Sequence, residues 1–242
     1  ARPQHADHRG RRRPPRSAAR AEREGGGAGG APRARARLQG SPGLGLLAQA
    51  GVRVPNGFVV TTEGWRCFEE TNNLAGRIEE LLRAIDFSGS KSLQKLSWQI
   101  WQIVERAAIP KDLAQEIRQC YRDLEREFRA GIDVAVRSSA ISEDTEGASF
   151  AGQYETFLNI RGEEDVILAV RNCFASLFLE RAISYRHEKG FPIVPEGIAV
   201  VIQKMVRSDH ACSGVIFTVE TNSGFQNLIG IEAGWGLGEP IV

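Results

Sequence analysis

The stretch VAVRSSAISEDTEGASFAGQYET, residues 134–156, decides both the fold and the chemistry that this sequence predicts. It overlaps IDVAVR, residues 132–137, whose β-branched side chains predict a strand that ends at Arg137. Ser138 and Ser139 would follow at once in a turn, and strand ends are favoured places for sites in α/β sheets. The guanidinium fork of an arginine matches phosphate oxygens, and hydroxyls and turn N–H groups add donors. The pattern indicates a phosphate site, with an ordinary surface ion pair as the alternative.

The loop GASFAGQ, residues 147–153, favours the same interpretation. Its small residues let the backbone approach a ligand closely and move as a lid, and Phe150 could cover a phosphate chain. An ordinary loop is the alternative. The common phosphate loops are excluded, because the chain has no GKS or GKT and GWGLGEP, residues 234–240, lacks the strand–helix–strand context of a dinucleotide fingerprint.

Other polar residues give weaker signals. Gln203 lies in the strand-like AVVIQKM, where its amide either satisfies a group of the protein or faces an adenine ring. Glu239 is either a site residue or a solvated carboxylate. The four histidines are too dispersed to form a ligand cluster, so the sequence predicts no metal site and identifies no catalytic residue.

Hydrophobic periodicity predicts the elements on both sides of this stretch. Towards the N-terminus it predicts a short helix around residues 44–47, a buried strand at residues 58–60 and mainly helical structure over residues 63–130. Towards the C-terminus it predicts a helix over residues 163–178 and strands over residues 155–160, 197–206, 213–220 and 227–236. Helices followed by alternating helices and strands predict an α/β (α+β) protein with two lobes.

Single residues predict where two of these helices begin and which side is buried. Thr61 or Thr62 can cap the helix that follows the first strand. Pro110 opens a later helix. The apolar face of that later helix is predicted to comprise Leu113, Ile117, Cys120 or Tyr121, Leu124 and Phe128.

Residues 1–40 have a composition unlike the rest of the chain. They contain 11 Arg, no Lys and no aromatic residue, and Leu38 is their one aliphatic residue larger than alanine. Their charge balance is +8, so the remaining residues carry −7 of the net +1. Such a segment cannot bury enough apolar surface to offset its ordering entropy, which predicts disorder. A basic arm for nucleic acid, a solvated tail and a stretch outside the native reading frame are the alternatives; we do not expect nucleic-acid binding.

The bulk composition fits a cytoplasmic protein. The 242 residues, 42% of them hydrophobic, suit one sizeable domain or two small lobes. No apolar run approaches the roughly 18 to 20 residues of a membrane span, and the arginine-rich start has no apolar secretory core. The four cysteines show no CxxC spacing, so we expect reduced thiols in a cytoplasmic protein.

Several motifs together resemble the phosphoenolpyruvate synthase (pyruvate, water dikinase) family. They occur in the family's order over about residues 41–242: GFVVTTEGW, VAVRSSAISEDTEGASFAGQYETFLNIRGEE, CFASLFLERAISYRHEKGF, IQKMVRSD, SGVIFTVETNSGF and GWGLGEPIV. Pyruvate phosphate dikinase and rifampicin phosphotransferase share the VRSSA and ASFAGQ elements, so a fragment of either is an alternative. The resemblance implies that residues 41–242 are a partial, two-lobed ATP-grasp domain, preceded by the segment 1–40.

The resemblance also implies an activity and a set of binding residues. Members of the family convert ATP, pyruvate and water into phosphoenolpyruvate, AMP and phosphate with Mg²⁺, through a histidine on a separate swivelling domain. By this resemblance, Arg137 binds the ATP phosphates, while Gly152 and Thr156 line the nucleotide. Gln203 lies near the adenine and ribose. The implied partners are ATP and, in the full-length enzyme, pyruvate, and a homodimer of the full-length enzyme is left open.

Three features depart from the family pattern. Gly40 stands where a GGKxxxLG pattern places a phosphate-binding lysine, so either that lysine is lost or the native frame is lost there. Glu220 replaces the aspartate of the family's DTESGF. The chain ends at Val242, which would leave the rest of the domain, its magnesium ligands and the carrier histidine beyond it. We therefore expect that this chain alone does not catalyse the full reaction, and an inactive remnant is an alternative.

Overall fold

The computed structural model describes residues 33–36, 42–87, 90–128, 130–140, 153–193, 197–220 and 223–238, which all lie in one compact unit. In chain order these residues form β1 (Ala34–Ala36), α1 (Pro42–Gln49), β2 (Gly57–Val60), α2 (Thr62–Thr71), α3 (Leu74–Arg83), α4 (Ser90–Arg106), α5 (Lys111–Glu127), β3 (Val134–Ala140), β4 (Thr156–Ile160), α6 (Glu163–Ser176), α7 (Glu180–Glu188), β5 (Ile198–Lys204), β6 (Cys212–Phe217) and β7 (Gly230–Trp235). The predicted strands and helices are present with shifted ends. β1 and α7 were not predicted.

Five of these strands form one antiparallel sheet in the order β1-β2-β5-β3-β4. β5 lies at its centre, where it pairs with β2 through Gly57↔Gln203 and with β3 from Val134↔Lys204 to Ala140↔Ile198. The predicted mixture of helices and strands is confirmed, and the sheet is antiparallel. The preference of sites for strand ends, which holds for parallel α/β sheets, therefore gives no guidance here.

One face of this sheet carries the core. Alternate residues of the three central strands are buried on it: Phe58, Val60, Val134, Val136, Ile198, Val200 and Ile202. Helices α2 and α6 cover this face with aromatic rings. Trp65 of α2 meets Phe174 of α6 edge-on, with ring centroids 5.3 Å apart, and lies 5.9 Å from Phe68 and 6.1 Å from Phe178. Edge-on and tilted contacts at these separations are the favoured arrangements of aromatic pairs.

The structure tests three predictions about single residues. Tyr121 is the buried member of the predicted pair on α5, while Cys120 is only half-buried. Phe128 was wrongly predicted as a core residue: it is 42% exposed, just beyond the end of α5, and its ring lies 4.8 Å from the Lys204 Nζ atom. Thr61 occupies the N-cap position of α2, but its hydroxyl donates to the carbonyl oxygen of Arg33 instead of capping the helix.

Strand β1 lies inside the segment whose composition predicts disorder. Its residues pair with Val60, Val59 and Phe58 of β2. The backbone N–H groups of Arg33 and Ala34 both donate to the Glu116 carboxylate, at 3.1 and 3.0 Å. Backbone hydrogen bonds need no apolar side chain, so a composition argument cannot detect them. The structure thus differs from the prediction for residues 33–36, while residues 1–32 and 37–40 lie outside the described part of the chain.

The Tyr121 hydroxyl joins three elements in the core. It donates to the carbonyl oxygen of Ile132, just before β3, and accepts from the backbone N–H of Gly162, just before α6; both distances are 2.9 Å. The Tyr121 side chain is fully buried. One oxygen atom therefore satisfies two backbone groups in the interior, and burial raises the pKa of this phenol.

We expect Tyr121→Phe to lower the free energy of unfolding by about 1 to 3 kcal/mol, because it leaves both backbone groups without a partner. Urea unfolding of the two proteins measures the difference. The slope with denaturant should not change, since the same surface is exposed on unfolding. A loss below about 0.5 kcal/mol would mean that water replaces the hydroxyl.

The four cysteines are free thiols that differ in burial. Cys212 is exposed, Cys173 is buried, and burial raises the pKa of the half-buried Cys120 to about 11. Burial also raises the pKa of Cys173. Since alkylation needs an accessible thiolate, iodoacetamide at pH 8 should label Cys212 first and Cys173 only after unfolding. Mass spectrometry of the peptides gives the order, and the denatured chain, in which all four should react, is the control.

Strands β6 and β7 form a second, two-stranded antiparallel sheet. Its apolar side chains are largely exposed, including Ile216 at 66%, Ile231 at 67% and Trp235 at 89%. Two-stranded sheets are only marginally stable alone in water. Exposed apolar residues in this number mark a surface that another element normally covers.

None of the described helices combines the length and the apolar composition needed to cross a bilayer.

Candidate functional site

Arg137 lies in the middle of β3, not at its end. The strand continues through Ser138 and Ser139 to Ala140, because β5 offers pairing partners for all seven residues. The two serines pair with Val200 and Ala199, so they are not turn residues with free N–H groups. The predicted strand end at Arg137 was therefore wrong. The prediction placed the end of the strand where the β-branched residues stop. Pairing with β5 extends the strand to Ala140.

The register brings Arg137 and Thr156 side by side. Arg137 of β3 lies directly opposite Thr156 of β4, and both residues are exposed. Directly opposed residues point to the same face of a sheet, with Cβ atoms about 5 Å apart. The guanidinium and the hydroxyl can therefore reach one ligand together.

Gln203 lies on the same face, on the other side of Arg137. Arg137 pairs with Val201 of β5, and Gln203 is two residues further along that strand. A diagonal neighbour of this kind is roughly 7 to 8 Å away, within reach of long side chains. Arg137, Thr156 and Gln203 thus share the sheet face opposite the core, where the neighbouring Val59, Val201 and Ser139 are only half-buried.

The Arg137 guanidinium makes no salt bridge within the described residues. The arginines of this region that do pair have carboxylate partners close by: Arg161 and Arg207 with Asp133, and Arg181 with Glu155. An exposed arginine can bind an oxyanion with two parallel hydrogen bonds when the donors of its guanidinium remain available. Among the described residues, therefore, no carboxylate supports the surface ion pair, and phosphate binding by Arg137 stays a prediction.

The Gln203 amide has one fixed bond. Its Nε2 donates to the carbonyl oxygen of Pro55 at 3.1 Å, and the side chain is half-buried. The amide oxygen and the second N–H can still contact a ligand. The amide therefore satisfies a backbone group, as one interpretation predicted, and its contact with adenine stays a prediction.

Several predicted residues lie outside the described part of the chain. Gly152, Phe150 and the rest of the GASFAGQ loop except Gln153 belong to this group, as do Gly40 and Glu239. Within the described residues, no group of three or more His, Cys, Asp or Glu side chains lies close enough to hold a metal ion. The structure therefore assigns no magnesium ligand.

Glu220 has a structural role that the sequence did not reveal. Its carboxylate accepts from the backbone N–H of Ser223 at 2.6 Å, and its carbonyl oxygen accepts from Gly224 at 2.8 Å. Its own N–H donates to Phe225 at 2.9 Å. Glu220 thus binds residues 223–225 through three hydrogen bonds.

The sequence argument also missed two groups of arginines near the candidate site. The buried Asp133, which precedes β3, pairs with Arg161 and with Arg207, whose Nη1 lies 2.9 Å away. On α7, Arg181 and Arg186 contact the segment that leads into β4. FLNIRGEE, IQKMVRSD and ERAISYR carry these arginines, but no local pattern shows which residues they contact across the fold.

A family model described as "Pyruvate phosphate dikinase, AMP/ATP-binding domain" matches residues 40–242. The chain belongs to this family. A protein named phosphoenolpyruvate synthase from Aquifex aeolicus is 44% identical over 197 residues, and one from Pseudomonas aeruginosa is 46% identical over 196 residues. Each alignment covers 81% of this chain but only 23% and 25% of the relative.

Membership of the pyruvate phosphate dikinase AMP/ATP-binding family confirms the resemblance inferred from the motifs. A protein named probable phosphoenolpyruvate synthase, from Methanothermobacter thermautotrophicus, is 45% identical over 200 residues, which are 82% of this chain and 29% of that relative. The chain thus spans about a quarter of the length of the curated relatives it matches. The matched range identifies it as a partial AMP/ATP-binding portion and begins at Gly40, at the predicted boundary with the arginine-rich segment.

Proposed function

We propose that this chain supplies part of the ATP site of a phosphoenolpyruvate synthase. In the proposed reaction, ATP, pyruvate and water give phosphoenolpyruvate, AMP and phosphate through a phosphohistidine outside this chain. The observation that carries the proposal is the sheet face shared by Arg137, Thr156 and Gln203 in a chain of the AMP/ATP-binding family. Phosphoryl transfer depends mainly on positioning and on stabilising charge, and a rigid sheet face can supply both.

Each residue has a separate task in this proposal. Arg137 donates two parallel hydrogen bonds to the phosphate chain and offsets its negative charge. Thr156, directly opposite, adds a hydroxyl donor to the same phosphates. Gln203 offers its remaining amide groups to the adenine and ribose, and Gly152 lines the nucleotide. Mg²⁺ would accompany ATP and neutralise its phosphates, but no described carboxylate cluster fits it and no step assigned here depends on it.

The same proposal includes a two-lobed, ATP-grasp-like architecture for residues 41–242. The five-stranded sheet with its helices would form one lobe, and β6 and β7 would begin the second. The support is the separate two-stranded sheet and its exposed Ile216, Ile231 and Trp235, which further strands of a second lobe would cover. A cytoplasmic location, pyruvate as acceptor and a homodimer of the full-length enzyme belong to the same proposal.

Calorimetric titration of the purified chain with ATP tests whether the chain binds the nucleotide, as proposed. We expect saturable binding of ATP that AMP competes with. No measurable binding of ATP at millimolar concentration would count against a nucleotide site on this sheet face.

A second assay tests whether this chain alone carries the reaction. We expect no phosphoenolpyruvate when the chain is incubated with ATP, pyruvate and Mg²⁺, because the proposed carrier histidine is outside this chain and no group of described residues forms a metal site. Phosphorus NMR of the mixture detects the product. Phosphoenolpyruvate above the level of a heat-denatured control would overturn this expectation.

A further inference from the structure

The three residues before β4 are held from α7 by one exposed arginine. Arg181 donates its Nε to the carbonyl oxygen of Gln153 at 2.9 Å and its Nη2 to the Glu155 carboxylate at 2.6 Å. One guanidinium therefore fixes both ends of the segment 153–155. The next residue is Thr156, which opens β4 opposite Arg137.

A second arginine of α7, Arg186, holds the middle of the same segment from inside the protein. Its side chain is buried, and its Nη2 donates to the carbonyl oxygen of Leu177 at 2.6 Å while its Nη1 lies 3.5 Å from the Tyr154 hydroxyl. In the described part of the chain no carboxylate pairs with it, and its Nε has no acceptor.

Burial of a cation without a carboxylate partner is costly, and it lowers the pKa of the Arg186 guanidinium. The bond to the Leu177 carbonyl and the longer contact with the Tyr154 hydroxyl offset part of that cost. These two contacts hold the buried Arg186 side chain against residue 154.

The segment is also tied to β3. The Ser138 hydroxyl donates to the carbonyl oxygen of Glu155 at 3.2 Å, and Ser138 is the neighbour of Arg137 in the chain. Residues 153–155 are therefore fixed between α7 on one side and the strand of Arg137 on the other.

We propose that Arg181 and Arg186 are positioning residues that set Thr156 against Arg137 and so prepare this sheet face for the nucleotide phosphates. The proposal rests on the proposed ATP site. Neither arginine touches the nucleotide; they act through residues 153–155. Two parallel hydrogen bonds to a phosphate form only when the guanidinium and the groups around it are correctly oriented. A displacement of Thr156 at the start of β4 should therefore lower the affinity for the nucleotide.

Arg181→Gln and Arg122→Gln form a matched pair for the test. Arg181 and Arg122 have side chains that are 48% and 49% exposed, and each donates two hydrogen bonds. Arg122 binds Glu163 and so joins α5 to α6. These two hydrogen bonds do not involve residues 153–155. Both variants should fold, and circular dichroism checks this before binding is measured.

Calorimetric titration with ATP then compares the two variants. We expect Arg181→Gln to raise the Kd on the order of fivefold and Arg122→Gln to leave it within about twofold. In an Arg137→Lys background, which keeps the charge but not the fork, Arg181→Gln should change the Kd by less than about twofold. Equal effects of the two glutamine variants, or an undiminished effect of Arg181→Gln in the lysine background, would overturn the proposal.

Hydrogen exchange separates this proposal from the proposed ATP site. If the parent chain binds no ATP, the nucleotide site fails, and the positioning role is then judged by amide exchange at residues 153–157. Arg181→Gln should speed exchange there and Arg122→Gln should not. Unchanged exchange in Arg181→Gln would reject the positioning role on its own.

Discussion

Replacing Arg137 with alanine is expected to weaken ATP binding by about 10- to 100-fold, which removes detectable binding if the parent affinity is modest. The guanidinium is exposed on the sheet face and unpaired among the described residues. A hydrogen bond to a charged group contributes about 1.5 to 3 kcal/mol, and at an exposed site, where water competes for both groups, we expect the whole bidentate contact to contribute about that much. Its removal from an exposed position leaves the fold intact. Calorimetric titration with ATP measures the loss, and thermal unfolding of the variant confirms the fold.

Two further variants make this result specific. Arg137→Lys should fall between the parent and Arg137→Ala, because a lysine keeps the charge and loses the planar fork. Arg122→Ala removes another exposed arginine, which lies on α5 and binds Glu163, and this variant should bind ATP like the parent. An unchanged Kd in Arg137→Ala would mean that the phosphates bind elsewhere, and the assignment of this sheet face would have to be withdrawn.

Replacing Trp65 with alanine should destabilise the protein by about 3 to 5 kcal/mol, the range for removing a large aromatic side chain from a core. Trp65 is 1% exposed and contacts Phe68, Phe174 and Phe178. It thus joins α2 to α6 over the central strands. Because a domain of this kind is stable by only about 5 to 15 kcal/mol, the change removes a large share of the free energy of unfolding.

Urea unfolding of Trp65→Ala, with Trp65→Phe and Trp98→Ala beside it, measures this loss. Trp65→Phe keeps a ring in the cluster and should lose roughly half as much. Trp98 is 57% exposed, so its replacement by alanine should cost less than about 1 kcal/mol. Similar losses for Trp65→Ala and Trp98→Ala would show that the aromatic cluster does not hold the helices on the sheet.

Local patterns predicted much of this fold because they report short-range physics. The helix predicted over residues 163–178 is confirmed as α6, which has Glu163, Glu164 and Asp165 in its first turn and buried apolar residues behind them. The strands around Phe58, Val134 and Val200 followed from β-branched and apolar runs. Motif order added the identity of the family, and with it the candidate site residues, which stay predictions.

The parts that were missed depend on partners far away in the chain. β1 contains only Ala and Arg, and it is ordered by β2 and by Glu116. The length of β3 beyond Arg137 is set by β5, which lies about sixty residues later. The contacts between α7 and the segment before β4 depend on Arg181 and Arg186, which reach residues about thirty positions earlier in the chain. None of these features leaves a periodic signal within a local window.

The central position of β5 bears on how the chain matures during synthesis. β5 separates β2 from β3, and the side-chain bond from Gln203 to Pro55 spans 148 residues. Until residues 198–204 leave the ribosome, the inner edges of both earlier strands have no partner in the final sheet. Closing so long a loop is slow, and unpaired strand edges invite association between nascent chains. Translation of residues 134–204 is therefore the interval in which a chaperone has most to protect.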